Sequence, residues 1–115
     1  MTMPTQVGPR VSLRAERDGA DQRFLDAWVD SAGALHIDGQ DLGPGTAIIS
    51  SDGEYEWFDT IARRHVRKVV ALLDGRRRDD VLDLLEKHWT GARSYELERR
   101  LRESDIPVER FTWSG

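Results

Sequence analysis

Apolar and polar residues alternate one by one through much of the first half of the chain, and recur with a helical spacing in the second. Val11, Leu13 and Ala15 alternate with Ser12, Arg14 and Glu16, which predicts a first strand with those three apolar residues facing inward. Two further alternating runs, Arg23 to Asp30 and Ala34 to Asp38, flank Ser31-Ala32-Gly33. A three-residue hairpin loop commonly ends on a left-handed residue, and Gly33 supplies it. That loop places Val29 opposite Leu35 and Ala27 opposite Ile37, so both share a face with Leu25. Asp26, Trp28, Asp30, His36 and Asp38 then occupy the other face.

The segment from Gly39 to Thr46 has the composition of a loop, and Ala47 to Ile49 adds a short strand or packs beneath it. Glu54 to Thr60 alternates again, with Tyr55, Trp57 and then Ile61 expected inward, against Glu54, Glu56, Phe58 and Thr60. Three helices follow. Ile61, His65, Val69, Leu72 and Leu73 form the stripe of the first, which ends at Gly75. Val81, Leu82, Leu85, His88 and Trp89 form the second, with Asp79 or Asp80 as cap and Gly91 as stop. The third starts near Ser94, anchors on Leu97 and Leu101, and closes before Pro107. Val108 to Trp113 reads as a last strand. The expected fold is α+β, an antiparallel sheet of four to five strands with three helices packed on one face, in the order βββ(β)αααβ. Its buried face is expected to hold Leu25, Ala27, Val29, Leu35 and Ile37 with Val69, Leu73, Leu82, Leu85 and Leu101.

A chain of 115 residues has room for one core. Residues 1–9 read as a flexible N-terminal segment and residues 10–115 as a single domain. No cysteine is present, which removes disulfides and thiolate chemistry and fits a reducing compartment. No run approaches the roughly 20 apolar residues of a membrane span, so a cytoplasmic protein with no membrane contact is expected. The chain is large enough to support its own core, and no metal, nucleotide or haem is expected to be needed for folding.

Charge divides the chain. Residues 1–60 hold 11 acids and 4 bases, whereas residues 61–115 hold 10 acids and 13 bases. From Phe24 to Ile61 there are eight carboxylates and no Lys or Arg, and the cluster Arg63, Arg64, Arg67, Lys68, Arg76, Arg77 and Arg78 follows directly. Acids and bases either neutralise each other within the fold or leave one negative surface for a basic partner. Asp26 opposite Asp38 is a like-charge pair that needs relief. A cation held by Asp26, His36 and Asp38 has no further ligand signature, so solvation or an arginine from the C-terminal half is the expected relief. Trp28 and Phe58 among carboxylates resemble an interface more than a core edge, unless the helices or the tail cover them. The face formed by Asp26, Trp28, Asp30, His36, Asp38, Glu54, Glu56 and Phe58 is therefore the candidate partner-binding site.

No nucleophile elbow, zinc-binding HExxH pattern or glycine-rich phosphate loop is present, and His65 and His88 read as packed or helix-end residues. GQDLGP at Gly39–Pro44, EYEWFDTI at Glu54–Ile61 and the ending from Glu96 onward, ELERRLRESDIPVERFTWSG, together resemble a family of small proteins of high-G+C bacteria. The resemblance covers about residues 22–115 and implies no activity. Phe58 and Asp59 stand where a more apolar pair is expected, which opens the question of how that strand faces. The expected function is a non-enzymatic protein-binding module, with an immunity- or antitoxin-like inhibitor of a basic partner as its concrete form, or self-association through the same face. A small nucleic-acid-associated regulator using the Arg63–Arg78 cluster is the alternative, opposed by the net charge of −4, and an unrecognised hydrolase is the third.

Overall fold

The computed structural model describes residues 5–44 and 53–114. These form five strands, β1 (Gln6–Asp18), β2 (Asp21–Asp30), β3 (Leu35–Leu42), β4 (Glu54–Ile61) and β5 (Glu109–Ser114), and three helices, α1 (Arg63–Leu72), α2 (Val81–His88) and α3 (Arg93–Glu103). The strands make one antiparallel sheet in chain order, and the helices lie between β4 and β5 in sequence and on one face in space. No helix among the described residues is long and apolar enough to cross a membrane.

The β2–β3 hairpin has the register that its alternation predicts, with Val29 opposite Leu35, Ala27 opposite Ile37 and Trp28 opposite His36. Gly33 sits at φ 84° and its N–H donates to Asp30 O at 2.9 Å, closing the loop. Leu25, Ala27, Leu35 and Ile37 are buried with Val69, Leu73, Leu82, Leu85 and Leu101, while Val29 is half-buried at the margin.

Strand β1 departs from simple alternation. It pairs with β2 from Gln6, and its register shifts between Val7 and Val11 and again between Ser12 and Arg14. At the second shift Leu13 is an extra residue, so Leu13 and Arg14 both turn toward the helices while Ala15, expected inward, is exposed opposite Phe24. Arg14 is 3% exposed. Its Nε donates to Ser94 Oγ at 3.0 Å, its Nη2 to Glu98 Oε1 at 2.7 Å, and its guanidinium lies 3.6 Å from the Tyr95 ring centre. Glu98 Oε2 accepts in turn from Trp57 Nε1 at 3.1 Å. The bulge thus delivers a buried cation that ties the edge strand to α3 and, through Glu98, to β4.

Strand β3 extends through Gly39 to Leu42, where composition reads as loop. Gly39 lies between Leu25 and Trp57, and a Cβ there would stand 2.0 Å from the Trp57 ring. Its role is close approach within a strand rather than a turn. Ala47 to Ile49 lies outside the described residues. In β4, Trp57 and Ile61 are buried and Tyr55 packs against the core as expected. Asp59 also faces inward, 6% exposed, and is held by Arg110 of β5 through two bonds of 2.7 and 2.8 Å. The salt bridge explains how a charged residue occupies an inward position there.

Ile61 closes β4, and α1 begins at Arg63, so the buried stripe of this helix is Val69 and Val70 with Val66 at its edge. His65 is only half-buried; its Nδ1 has no hydrogen-bond partner among the described residues, and its pKa is lowered by desolvation and by Lys68 and Arg64. Asp80 caps α2, its carboxylate accepting from Asp83 N at 3.1 Å.

Candidate partner-binding face

The three helices of the described residues lie on one side of the sheet, and none of them covers the other. Trp28, His36, Thr60 and Glu109 form one row across four strands, Asp26, Asp38, Phe58 and Phe111 the next, and Phe24, Gln40, Glu56 and Trp113 a third. Asp30, His36, Glu54 and the rest of the predicted face therefore lie on one surface.

The predicted residues divide into two groups along this surface. At one end, Trp28 stacks on His36 with ring centres 4.0 Å apart and 11° between planes, and its Nε1 donates to Asp38 Oδ2 at 2.8 Å. Arg10 lies 5.7 Å from the Trp28 ring centre and bridges Asp26 (3.1 Å) and Asp38 (2.8 Å). The like-charge pair is thus relieved by an arginine from the N-terminal strand, not from the C-terminal half. Arg10 lies within the register shift of β1 between Val7 and Val11. Trp28 is left 9% exposed, so it is packed within the fold rather than presented to a partner. Asp26, His36 and Asp38 do not converge on a common point, and no group of three or more metal-ligating side chains is found among the described residues.

His36 is fixed from both sides. Its Nε2 lies 2.7 Å from Asp30 Oδ2, and its Nδ1 lies 3.3 Å from Thr60 Oγ1. An ionised Asp30 only accepts, so Nε2 carries the proton and Nδ1 is free to accept from the Thr60 hydroxyl. Hydroxyl, imidazole and carboxylate stand in the order of a hydrolase triad. Thr60 is in an inner strand, paired to His36 on one side and Glu109 on the other, so the backbone N–H groups beside it serve the ladders. The trio satisfies both ring nitrogens of a buried histidine.

Asp30 also accepts from the N–H groups of Ala32 (2.9 Å) and Ala34 (3.0 Å). Burial pushes its carboxyl up, but the bonds from His36, Ala34 and Ala32 outweigh burial and hold its pKa below the ordinary 3.8. A folded-state pKa below the unfolded one gives stabilisation that is complete above about 3.8 and lost as pH falls through the folded value. In urea titrations from neutral to acid pH, Asp30→Asn is expected to be less stable than wild type at neutral pH and to lose less stability on acidification. Parallel pH profiles for the two proteins would remove Asp30 as the group responsible.

The other end is exposed. Phe58 is half-buried against Phe111, ring centres 6.0 Å apart, while Phe111 is 64% and Trp113 46% exposed. Gln40 Nε2 donates to Glu56 at 2.9 Å and Glu54 at 3.3 Å, holding the two carboxylates beside this apolar strip. Glu109 adds a third at the outer strand. Phe111 and Trp113 were not among the residues that sequence reasoning assigned to the face. Their alternation with Arg110 and Thr112 puts them on one side of a strand, but only the pairing of β5 with β4 says that this side is the open one.

The cluster Arg63, Arg64, Arg67, Lys68, Arg76, Arg77 and Arg78 is exposed on α1 and the connection to α2. Arg67 Nη1 donates to the carbonyls of Arg77 (2.6 Å) and Asp79 (2.9 Å), holding that connection against α1. None of the seven side chains has a carboxylate partner among the described residues, so the acidic stretch and this cluster form no salt bridge with each other there. No family model, no curated protein and no solved structure matches the chain.

Proposed function

We propose that this protein is a non-enzymatic binding module whose open sheet face receives a basic protein partner. The observation that carries the reading is the strip of half-buried Phe58 with exposed Phe111 and Trp113, flanked by Glu54, Glu56 and Glu109, on the face that no helix among the described residues covers. Exposed aromatic residues supply the desolvated anchors on which most binding energy falls, and the carboxylates steer a cationic surface toward them. An inhibitor of a basic enzyme, of the immunity or antitoxin type, is the concrete form of this reading, with a nuclease as the natural target. In such a complex Trp28 supports the face from within, and Phe111 and Trp113 make the contact.

The test co-expresses the protein with the chain encoded beside it in the source genome and follows their association at low and high salt. Phe111→Ala with Trp113→Ala is expected to speed dissociation by about tenfold or more. Glu56→Lys with Glu109→Lys is expected to slow association and weaken its salt dependence. Trp28→Ala is expected to lower thermal stability instead, since it removes the platform under His36 and Arg10. Unchanged dissociation in the aromatic variant would sink the reading. Sedimentation of the free protein separates the case of self-association through the same strip, in which wild type dimerises and the aromatic variant does not.

A second reading rests on the exposed arginine cluster, whose side chains have no carboxylate partner among the described residues and suit phosphate groups. It requires binding to a short DNA or RNA duplex that falls steeply with salt, about 0.9 log units per log salt for each phosphate contacted, and that is lost on replacing Arg76, Arg77 and Arg78 by Gln.

A further inference from the structure

The helix side of the sheet carries a cavity of about 240 Å³ between the C-terminal half of α3, the connection 104–108 and strands β3 to β5. Ile37, Leu101, Ile106 and Val108 line it with apolar surface. Four charged side chains meet there, and their bonding separates those that are satisfied from those that are not. Both oxygens of Asp59 accept from Arg110, and the two oxygens of Glu98 accept from Arg14 and Trp57. Ser104 Oγ donates to Leu101 O at 2.8 Å and accepts from Ile106 N at 3.2 Å, so the hydroxyl is engaged as well. Arg110 Nη1 and the whole Arg102 guanidinium have no partner among the described residues.

We propose that this cavity binds a small monocarboxylate with a short aliphatic or aromatic body. The carboxylates in the wall are already bonded and make no demand for a cation, whereas the spare donors belong to two arginines. The charged lining, Arg102 and Arg110 against Asp59 and Glu98, balances to zero, but the carboxylate oxygens are all taken up, whereas guanidinium N–H donors are left over. A carboxylate is therefore the acceptor that the spare donors lack, and the apolar floor selects a ligand that carries a hydrocarbon body behind it. The volume lies below the roughly 300–1,000 Å³ of sites for drug-sized molecules, which limits the body to a short chain or a single ring. The β5 strand and the 104–108 segment form one wall, so a ligand seated here touches the base of the strand that carries Phe111 and Trp113 on its opposite face.

Titrations of the full chain with hexanoate, phenylacetate, hexanol and hexylamine, followed by methyl NMR shifts of Leu101, Ile106 and Val108, test the proposal. Saturable one-to-one shifts are expected with hexanoate and phenylacetate, with hexanol about tenfold weaker or more and hexylamine not binding. Arg102 is exposed and its replacement leaves the core intact. Arg102→Gln is expected to weaken hexanoate about tenfold without changing hexanol, and Arg102→Lys to retain part of the difference. Equal affinity for hexanoate and hexanol, preference for hexylamine, indifference of hexanoate to Arg102→Gln, or the absence of shifts at these methyls would each overturn it.

Discussion

Replacing Arg14 by methionine is expected to lower the unfolding free energy by about 3–5 kcal/mol, the range for leaving one partner of a buried ion pair alone. The Arg14 side chain is 2% exposed and that of Glu98 18%, so solvent screens the pair little. Methionine fills a similar path but donates nothing, which leaves Glu98 Oε1 and Ser94 Oγ without their donor and removes the cation stacked on Tyr95. Adding Glu98→Leu removes the stranded charge, and the double variant is expected to recover a large part of the loss. Chemical denaturation of the four proteins of this cycle measures both quantities. A loss below about 1 kcal/mol for Arg14→Met, the range of an exposed pair, would show that the pair acts as if solvated.

Leu85→Ala is expected to cost about 2–5 kcal/mol, because Leu85 is fully buried in α2, within the core where the helices meet the sheet. The loss combines the transfer of the removed carbons with the cavity left behind. Leu72, which is half-buried at the end of α1, is the internal comparison, and its replacement by alanine is expected to cost clearly less. Urea midpoints with an unchanged m-value give the two numbers directly. Equal losses would mean that the core is not centred where the helices meet the sheet.

The consequences for function follow from how the two faces are built. The helix side holds the polar network of Arg14, Glu98, Trp57, Asp59 and Arg110, and the open side divides into a closed cluster around Trp28 and an exposed strip at β5. Substitutions around Trp28 are therefore expected to act on stability, whereas those at Phe111 and Trp113 leave the core untouched.

Much of this was legible in residue order alone, wherever the deciding interaction is local. Alternation on both sides of Ser31-Ala32-Gly33 determines the β2–β3 register, because a shift of one residue would reverse every side chain and the glycine sets the loop length. The same alternation places Asp26, Trp28, Asp30, His36, Asp38, Glu54, Glu56 and Phe58 on one surface. Asp80 ahead of Val81-Leu82 marks the start of α2, since a carboxylate there meets the free N–H of Asp83. What alternation cannot contain is a break in itself. The bulge at Leu13 that turns Arg14 inward exists only through pairing with β2, and Arg10, which reaches Asp26 and Asp38, sits in the other register shift, between Val7 and Val11. Gly39 carries the composition of a loop, and only the Trp57 ring across it shows that the glycine makes room within a strand. Charge order along the chain shows that acids precede bases, but whether Trp28 is exposed depends on which arginine arrives. Tertiary structure alone decided that β5, after three helices, returns to the free edge of β4, so that Phe111 and Trp113 join Phe58, because that choice depends on where the packed helices release the chain.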